Sequence, residues 1–323
     1  MKACVIGGAG FIGSHLCEGL AKQKDEVVVI DNFFLGKKEN IQHIPVKIYN
    51  EDATHLISLQ NILEQEKPDI VYNLAMKCLP TSFDDPEGAY MVGVKIAHNL
   101  VYLLRKKVFP KLVHFSSSEA CGTAEYVPMD ENHPLRPTTT YSAGKAAADL
   151  LLLSYHQMFD LNLTIVRPFN QIGPRQNDLT YAAIVPLTIK RLIRGETPFI
   201  EWDGKQTRDF TYVGDIVNAV IRLAECREAI GKVVNLGQGK ETTIEEMMML
   251  LCKEFNFPFD KIERRPKRSA DVRRHWSSIS LAKQLIGYEP KTPLCEAIHY
   301  TTEWYKSNVQ HNTNNGESHA GTL

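Results

Sequence analysis

Short apolar runs alternate with amphipathic segments from the start of the chain. Ala3-Cys4-Val5-Ile6 and Val27-Val28-Val29-Ile30 are continuously apolar, and the stretch between them carries a helical pattern (Leu16, Leu20). Further runs fall at Val46–Tyr49, Ile70–Asn73, Leu112–Ser116 and Leu163–Val166, with helical segments predicted near 54–65, 86–107 and 141–159. Continuous rather than alternating apolar runs mark strands covered on both faces. Strands separated by helices predict parallel pairing through right-handed crossovers, hence an α/β doubly wound sheet over residues 1–169. After Arg167-Pro168 the rhythm changes. Glycines and prolines cluster (Gly173-Pro174, Gly195, Pro198, Gly204) and the elements shorten, which predicts a smaller mixed α/β region over 170–308, some of it returning to the main sheet. Residues 309–323 are polar and aperiodic and are expected to form a disordered tail.

Composition narrows the class. The 323 residues are 43% hydrophobic and 23% charged, with a formal net charge of −1. A near-neutral chain offers no electrostatic case for nucleic acid or an anionic membrane as partner. No apolar run approaches the roughly 20 residues a membrane span requires. The chain enters a strand at once, so no signal peptide is expected. Seven cysteines, an odd number without a C-x-x-C pair, read as reduced thiols in a cytoplasmic protein. Eleven scattered histidines lack metal-ligand spacing, so no metal is expected.

The first chemistry lies between the first two runs. Gly7, Gly10 and Gly13 fall between strand and helix, and Asp31 closes the second strand. This is the extended form of the Rossmann dinucleotide fingerprint. Gly7 permits the tight turn, Gly10 lets the backbone approach a pyrophosphate, and Gly13 lets helix pack on strand. The helix N-terminus offers N–H groups and a positive dipole end to phosphates. A carboxylate at Asp31 accepts hydrogen bonds from a ribose and repels a 2′-phosphate, which favours NAD over NADP. The second signal is Tyr141-Ser142-Ala143-Gly144-Lys145. Positions i and i+4 share a helix face, so the ammonium, together with the nicotinamide cation, is expected to lower the tyrosine pKa and make the phenol a base.

With these residues in place, the chain resembles the extended short-chain dehydrogenase/reductases that modify nucleotide sugars, over essentially all of residues 1–306. The resemblance rests on Gly7–Gly13, Asp31-Asn32, Asp52, Asn73-Leu74-Ala75, Ser116–Gly122, Tyr141–Lys145, Arg167–Asn170, Gly173–Gln176, Arg208-Asp209-Phe210 and Asp271-Val272-Arg273. It implies an NAD cofactor held by Gly7, Gly10, Phe11, Ile12, Gly13, Asp31, Asn32, Asp52, Ala53, Leu74, Ala75, Tyr141, Lys145 and Pro168. It implies a nucleotide-sugar substrate, most simply a UDP-sugar, met by Lys77, Ser117, Glu119, Asn170, Arg175, Arg208 and Arg273. A homodimer through the helices near 86–107 and 141–159 is likewise implied, with Val94, Leu100, Val101, Leu104, Leu150, Leu151 and Leu153 as apolar candidates.

Such enzymes share an opening step in which Tyr141 takes the 4-hydroxyl proton, beside Ser117, and hydride leaves C4. The 4-keto sugar is then epimerised, decarboxylated or dehydrated. Ser118-Glu119 bears on the choice. A carboxylate beside the reacting sugar is costly to desolvate and suggests a task, namely removal of the C5 proton. Related 4,6-dehydratases carry Asp-Glu here, while Ser-Glu appears both in uronate decarboxylases and in a dehydratase branch whose wording this chain echoes. The expected activity is therefore 4,6-dehydration, with UDP-N-acetylglucosamine as substrate. Decarboxylation of a UDP-glucuronate and epimerisation are the alternatives, and an NAD-sensing module is the non-enzymatic one. Ser118 is a poor acid, so Cys121, Lys77 or Glu119 itself is expected to protonate the departing 6-hydroxyl. Arg264, Arg265 and Arg268 are candidates to grip a uronate.

Overall fold

The computed structural model describes residues 1–177, 183–267 and 271–314, with side chains through 308. Its first half runs β1 (Lys2–Ile6), α1 (Phe11–Lys22), β2 (Glu26–Asp31), β3 (Val46–Asn50), α2 (Leu56–Glu66), β4 (Ile70–Asn73), α3 (Thr81–Asp84), α4 (Pro86–Arg105), β5 (Leu112–Phe115), α5 (Thr140–Phe159) and β6 (Leu163–Pro168). There follow β7 (Asn170–Ile172), α6 (Ile184–Ile193), β8 (Phe199–Glu201), β9 (Thr207–Arg208), β10 (Phe210–Tyr212), α7 (Val213–Glu225), β11 (Val233–Leu236), β12 (Thr242–Thr243), α8 (Ile244–Glu254), β13 (Glu263–Arg265), α9 (Ser280–Ile286) and α10 (Leu294–Asn314).

Seven strands form one sheet in the order β11-β6-β5-β4-β1-β2-β3, and every neighbouring pair is parallel. The apolar runs are continuous because both faces are covered. Ala3 and Val5 point into a core shared with α1 and α7, while Cys4 and Ile6 point into one shared with α2 and α4. Val27 and Val29 divide from Val28 and Ile30 in the same way, as a period of two requires. A third cluster (Ile189, Ile200, Met247, Leu251, Ile298, Tyr305) is built from residues after 170. Three two-stranded pairings, β7 with β10, β9 with β12 and β8 with β13, accompany it.

Segments after 170 do rejoin the main sheet: β11 pairs with β6, and α7 packs against α1. The expected disordered tail needs correction at its start, because α10 continues through Asn314. Its last described turns are held locally, by a Lys306–Glu303 pair and by Ser307 and Asn308 side chains donating to carbonyls one turn back. A polar helix needs no apolar face to extend a packed one by a turn or two, and composition alone does not reveal this. Residues 315–323 lie outside the described residues.

Candidate active site

Two adjoining cavities lie beyond the carboxyl ends of the strands, of about 330 and 300 Å³. The larger is walled by Gly7 and Gly10–Gly13, by Leu74–Leu79, by Phe115–Ser117 and by Tyr141, Lys145 and Pro168. The smaller is walled by Glu51–Ala53, Val92 and Ile96, and shares Gly7, Asp31, Asn32, Phe34 and Ala75–Lys77 with the first. Together they form one trough running across the sheet from β3 to β6. All the residues that the sequence assigned to the cofactor stand on its walls.

The trough fits a dinucleotide on its own geometry. Gly7 adopts φ +79°, and a Cβ there would meet the Ala75 nitrogen at 2.8 Å. A Cβ on Gly13 would lie 2.1 Å from the Gly7 carbonyl oxygen, so α1 packs on the turn only without one. A Cβ on Gly10 would meet nothing but that same oxygen at 3.3 Å; the rest of its surroundings is the cavity. Gly10 caps α1 without a side-chain bond, which leaves the first helical N–H groups facing this space. Asp31 is more occupied than the sequence suggested. Its Oδ2 accepts from Ala9 N at 2.9 Å and its Oδ1 from Phe33 N at 2.8 Å, so it also ties down the glycine turn. Asp52 accepts from Asn32 Nδ2 at 3.0 Å and from Thr54 N at 2.8 Å. Asn40, which no motif flagged, is buried and donates to the Ala9 carbonyl at 2.9 Å.

At the other end of the trough, α5 brings Tyr141 and Lys145 to the end of β5. Thr139 starts the helix with a reciprocal capping box to Ser142. Lys145 is buried and its Nζ donates to the Phe115 carbonyl at 2.6 Å. Ser117 lies beside the Tyr141 phenol, where its hydroxyl favours the ionised form, and accepts from Glu119 N at 3.2 Å. The expected lowering of the tyrosine is not found in the protein alone. Burial, joined by the Glu119 charge, pushes the phenol up to about 12 against the opposing influence of the Ser117 hydroxyl. Burial also brings Lys145 down to about 8, with the Asp149 carboxylate opposing. Desolvation outweighs the i, i+4 relation, so the positive charge that makes a phenolate must come largely from the cofactor.

The remaining candidates divide. Ser118, Glu119 and Cys121 do not line either cavity. Ser118 is buried with its hydroxyl 3.5 Å from His275 Nδ1. Cys121 is packed with Met129 and Phe169, and burial pushes its thiol up. A thiol so placed is a packing residue, which corrects its candidacy as an acid. Lys77 does stand on the trough, but its Nζ is ion-paired with Asp85 and sits 5.2 Å from the Phe34 ring centroid. Glu119 is 15% exposed, 3.8 Å from His275 Nδ1, a buried imidazole that the sequence reading missed and that burial lowers to about 3.

Arg175 belongs to the cofactor wall rather than to a diphosphate clamp: it bonds Glu18 and His15 at 2.8 Å and reaches the Asn40 carbonyl. Arg208 and Arg273 lie together outside both cavities. Arg208 pairs with Asp271 at 2.8 Å and donates to the Val272 carbonyl, and Arg273 pairs with Asp203 over the Trp202 ring. Asn170 Oδ1 is buried and finds no hydrogen-bond partner among the described residues. Arg264 and Arg265 are each paired, with Glu245 and Glu263, and Arg268 lies outside the described residues.

A doubly wound parallel sheet with a glycine-lined trough ending on a Ser-Tyr-Lys set defines a nucleotide-dependent dehydrogenase architecture. The model of the NAD dependent epimerase/dehydratase family matches residues 3–237, and the chain belongs to that family. A UDP-glucose 4-epimerase of Mycolicibacterium smegmatis is 31% identical over 319 residues, 96% of this chain and 100% of that one. UDP-glucuronic acid decarboxylase 1 of Arabidopsis thaliana is 33% identical over 304 residues, 92% of this chain and 68% of that one. The solved UDP-glucose 4-epimerase of Thermotoga maritima, with UDP-glucose, superposes with a TM-score of 0.91 at 29% identity, covering 96% of this chain and all of that one. The protein is thus an NAD-dependent enzyme of the nucleotide-sugar epimerase, dehydratase and decarboxylase group.

Proposed function

We propose that the chain is a 4,6-dehydratase acting on a UDP-hexose, with UDP-N-acetylglucosamine its expected substrate. The observation that carries this reading is Glu119. Its negative charge acts on the Tyr141 phenol and opposes the phenolate that the opening step needs. An enzyme that only inverts C4 gains nothing from that penalty, whereas one that must remove the C5 proton does.

A bound NAD, held along the wall formed by Gly7, Gly10–Gly13, Asp31 and Lys145, would supply the hydride acceptor and donor for the reaction. Tyr141 takes the 4-hydroxyl proton, with the Ser117 hydroxyl holding the phenol in line. Lys145 supports the phenolate from one turn along α5. The resulting ketone acidifies C5, and Glu119 removes that proton. With Cys121 packed away and Lys77 paired to Asp85, Glu119 hands the same proton to the departing 6-hydroxyl, which leaves as water. Tyr141 then returns its proton to C5. The sugar loses one water in total and emerges as a 4-keto-6-deoxy product. Asn170, Arg208 and Arg273 hold the diphosphate in this reading, the two arginines exchanging their present aspartate partners for phosphate oxygens.

Mass spectrometry and NMR of UDP-N-acetylglucosamine, UDP-glucose and UDP-glucuronate after incubation, without added reductant, tests the proposal. Loss of one water with a new C6 methyl signal supports it. Loss of CO₂ from the uronate makes the chain a decarboxylase, and unchanged mass with an altered H4 signal makes it an epimerase. In either of the last two cases Glu119 is not the C5 base. We further read the enzyme as a cytoplasmic homodimer joined through α4 and α5. Of the apolar candidates, Leu100, Val101 and Leu104 are buried against the sheet and cannot serve. Leu150 is 59% exposed on α5, and Met91 and Met158 are also exposed.

A further inference from the structure

Behind the Tyr141–Lys145 face, α5 is fastened a second time to the sheet. Asp149, one turn beyond Lys145, is fully buried. Its Oδ2 accepts from Ser116 Oγ at 2.7 Å and from Arg167 Nη2 at 3.0 Å. Ser116 stands on the trough wall immediately before Ser117, and Lys145 Nζ holds the carbonyl immediately before Ser116. Two polar bonds, one turn apart on α5, thus grip consecutive residues at the end of β5. Arg167, from the end of β6, completes the set and is itself 2% exposed. Such a group is expensive to bury: Asp149 Oδ1 and Arg167 Nε and Nη1 have no hydrogen-bond partner among the described residues. A buried ion pair is weak evidence for added stability, so its place beside the catalytic lysine calls for a different explanation.

We infer that Asp149 is a positioning residue for the opening oxidation, holding Ser116-Ser117 in register with Tyr141 and placing a carboxylate one helical turn beyond Lys145. Asp149 is the carboxylate that opposes the burial of Lys145. The groups facing that ammonium are His114 of β5, Tyr141 and Asp149 of α5, and Arg167 beyond Asp149. His114 is held neutral by burial and by Lys145, so it adds no second positive charge and leaves Asp149 as the carboxylate beside the ammonium. The inference concerns the step that epimerases, decarboxylases and dehydratases share. It therefore stands or falls independently of the fate of the 4-keto sugar and of the role of Glu119.

The test compares wild type with Asp149→Asn, with Asp149→Asn/Arg167→Gln, and with Asp149→Glu as the conservative rescue. The double variant removes both buried charges together and keeps the experiment informative should the single variant, with its orphaned guanidinium, fail to fold. Removing the carboxylate lowers the lysine's pKa, so the alkaline limb of kcat moves down by about one pH unit or more. KM for whichever nucleotide sugar turns over should change less than about twofold. NAD titrations followed by fluorescence between about pH 7 and 10 should lose affinity at correspondingly lower pH, with Asp149→Glu restoring most of the shift. A folded Asp149 variant whose kcat falls with the alkaline limb at its wild-type position would overturn the inference and reduce the network to packing.

Discussion

Substituting alanine for Gly10 and for Gly13 separates the two demands placed on the glycine turn. Gly10 has φ −74°, which alanine adopts freely, and its added Cβ meets only the Gly7 oxygen, at 3.3 Å. Its cost to the fold is that of a poorer helix cap, about 0.5–1 kcal/mol, partly offset by the stiffer unfolded chain. The new methyl group does, however, occupy the space into which a pyrophosphate must come. Excluding one close backbone contact with a charged group is expected to weaken NAD binding by about 100-fold, about 2.7 kcal/mol. At Gly13 the new Cβ would lie 2.1 Å from the Gly7 oxygen and 2.8 Å from Gly8 Cα, against an ordinary contact distance of about 3.4 Å or more. Helix α1 must move outward by about 1 Å, an overpacking cost of about 1–3 kcal/mol, and it carries its phosphate-facing end with it. The assay is thermal unfolding with and without NAD, alongside NAD content after purification and a fluorescence titration. Gly10→Ala should melt within about 2 °C of wild type when stripped of cofactor yet retain little NAD, whereas Gly13→Ala should lose both stability and cofactor. A Gly10→Ala protein that binds NAD within threefold of wild type would refute the assignment of that cavity to the pyrophosphate.

Other expected outcomes are more local. Glu119→Gln should abolish water loss while still exchanging hydride at C4, detectable as transient NADH absorbance on mixing with substrate. Retention of full dehydration would remove Glu119 from the C5 step. His114 and His275 are both held neutral by burial. Their folded pKa values lie below the unfolded one, so the stability they contribute is present above about pH 6.5 and declines as pH falls toward their folded values. With His15, which burial lowers to about 4, these imidazoles should make urea unfolding at pH 7.5 and 5.5 differ by about 4 kcal/mol in favour of the higher pH, and a flat profile would show that they accept protons in the native state. Leu150→Lys should convert a dimer to monomer in sedimentation equilibrium without changing the melting of the isolated subunit, and an unaltered oligomer would exclude α5 as the interface.

The sheet and its cofactor trough were legible because the determinants are local. Gly7, Gly10 and Gly13 act within one turn, and the continuous runs at β1 and β2 report two covered faces whatever lies on them. The pair Tyr141 and Lys145 follows from helical spacing alone. What the sequence did not disclose depends on partners far along the chain. His275 reaches the Ser118–Glu119 turn across more than 150 residues, whereas Arg167, though only 18 residues away, reaches Asp149 of α5 from the end of the next strand, β6. Cys121 shows the converse error: beside motif residues it looked reactive, but Met129 and Phe169 close over it. The cost of burying the Tyr141 phenol is hidden for a related reason. Sequence spacing displays the neighbouring ammonium but not the desolvation that outweighs it.

The position of β11 bears on how the chain can be made and cut. Composition changes at residues 169–170, yet β6 ends there with every residue buried and with its outer edge bonded to a strand more than 60 residues later. Ile165 and Phe169 each donate across that seam, to the Lys232 and Leu236 carbonyls. A nascent or truncated chain that stops short of β11 presents β6 as an apolar edge with unpaired backbone groups, a template for intermolecular pairing. The nucleotide-binding half is consequently not a portable module. Its completion on the ribosome waits for β11, which lies within the region after residue 170, and fragments ending near residue 169 should be recovered as aggregate.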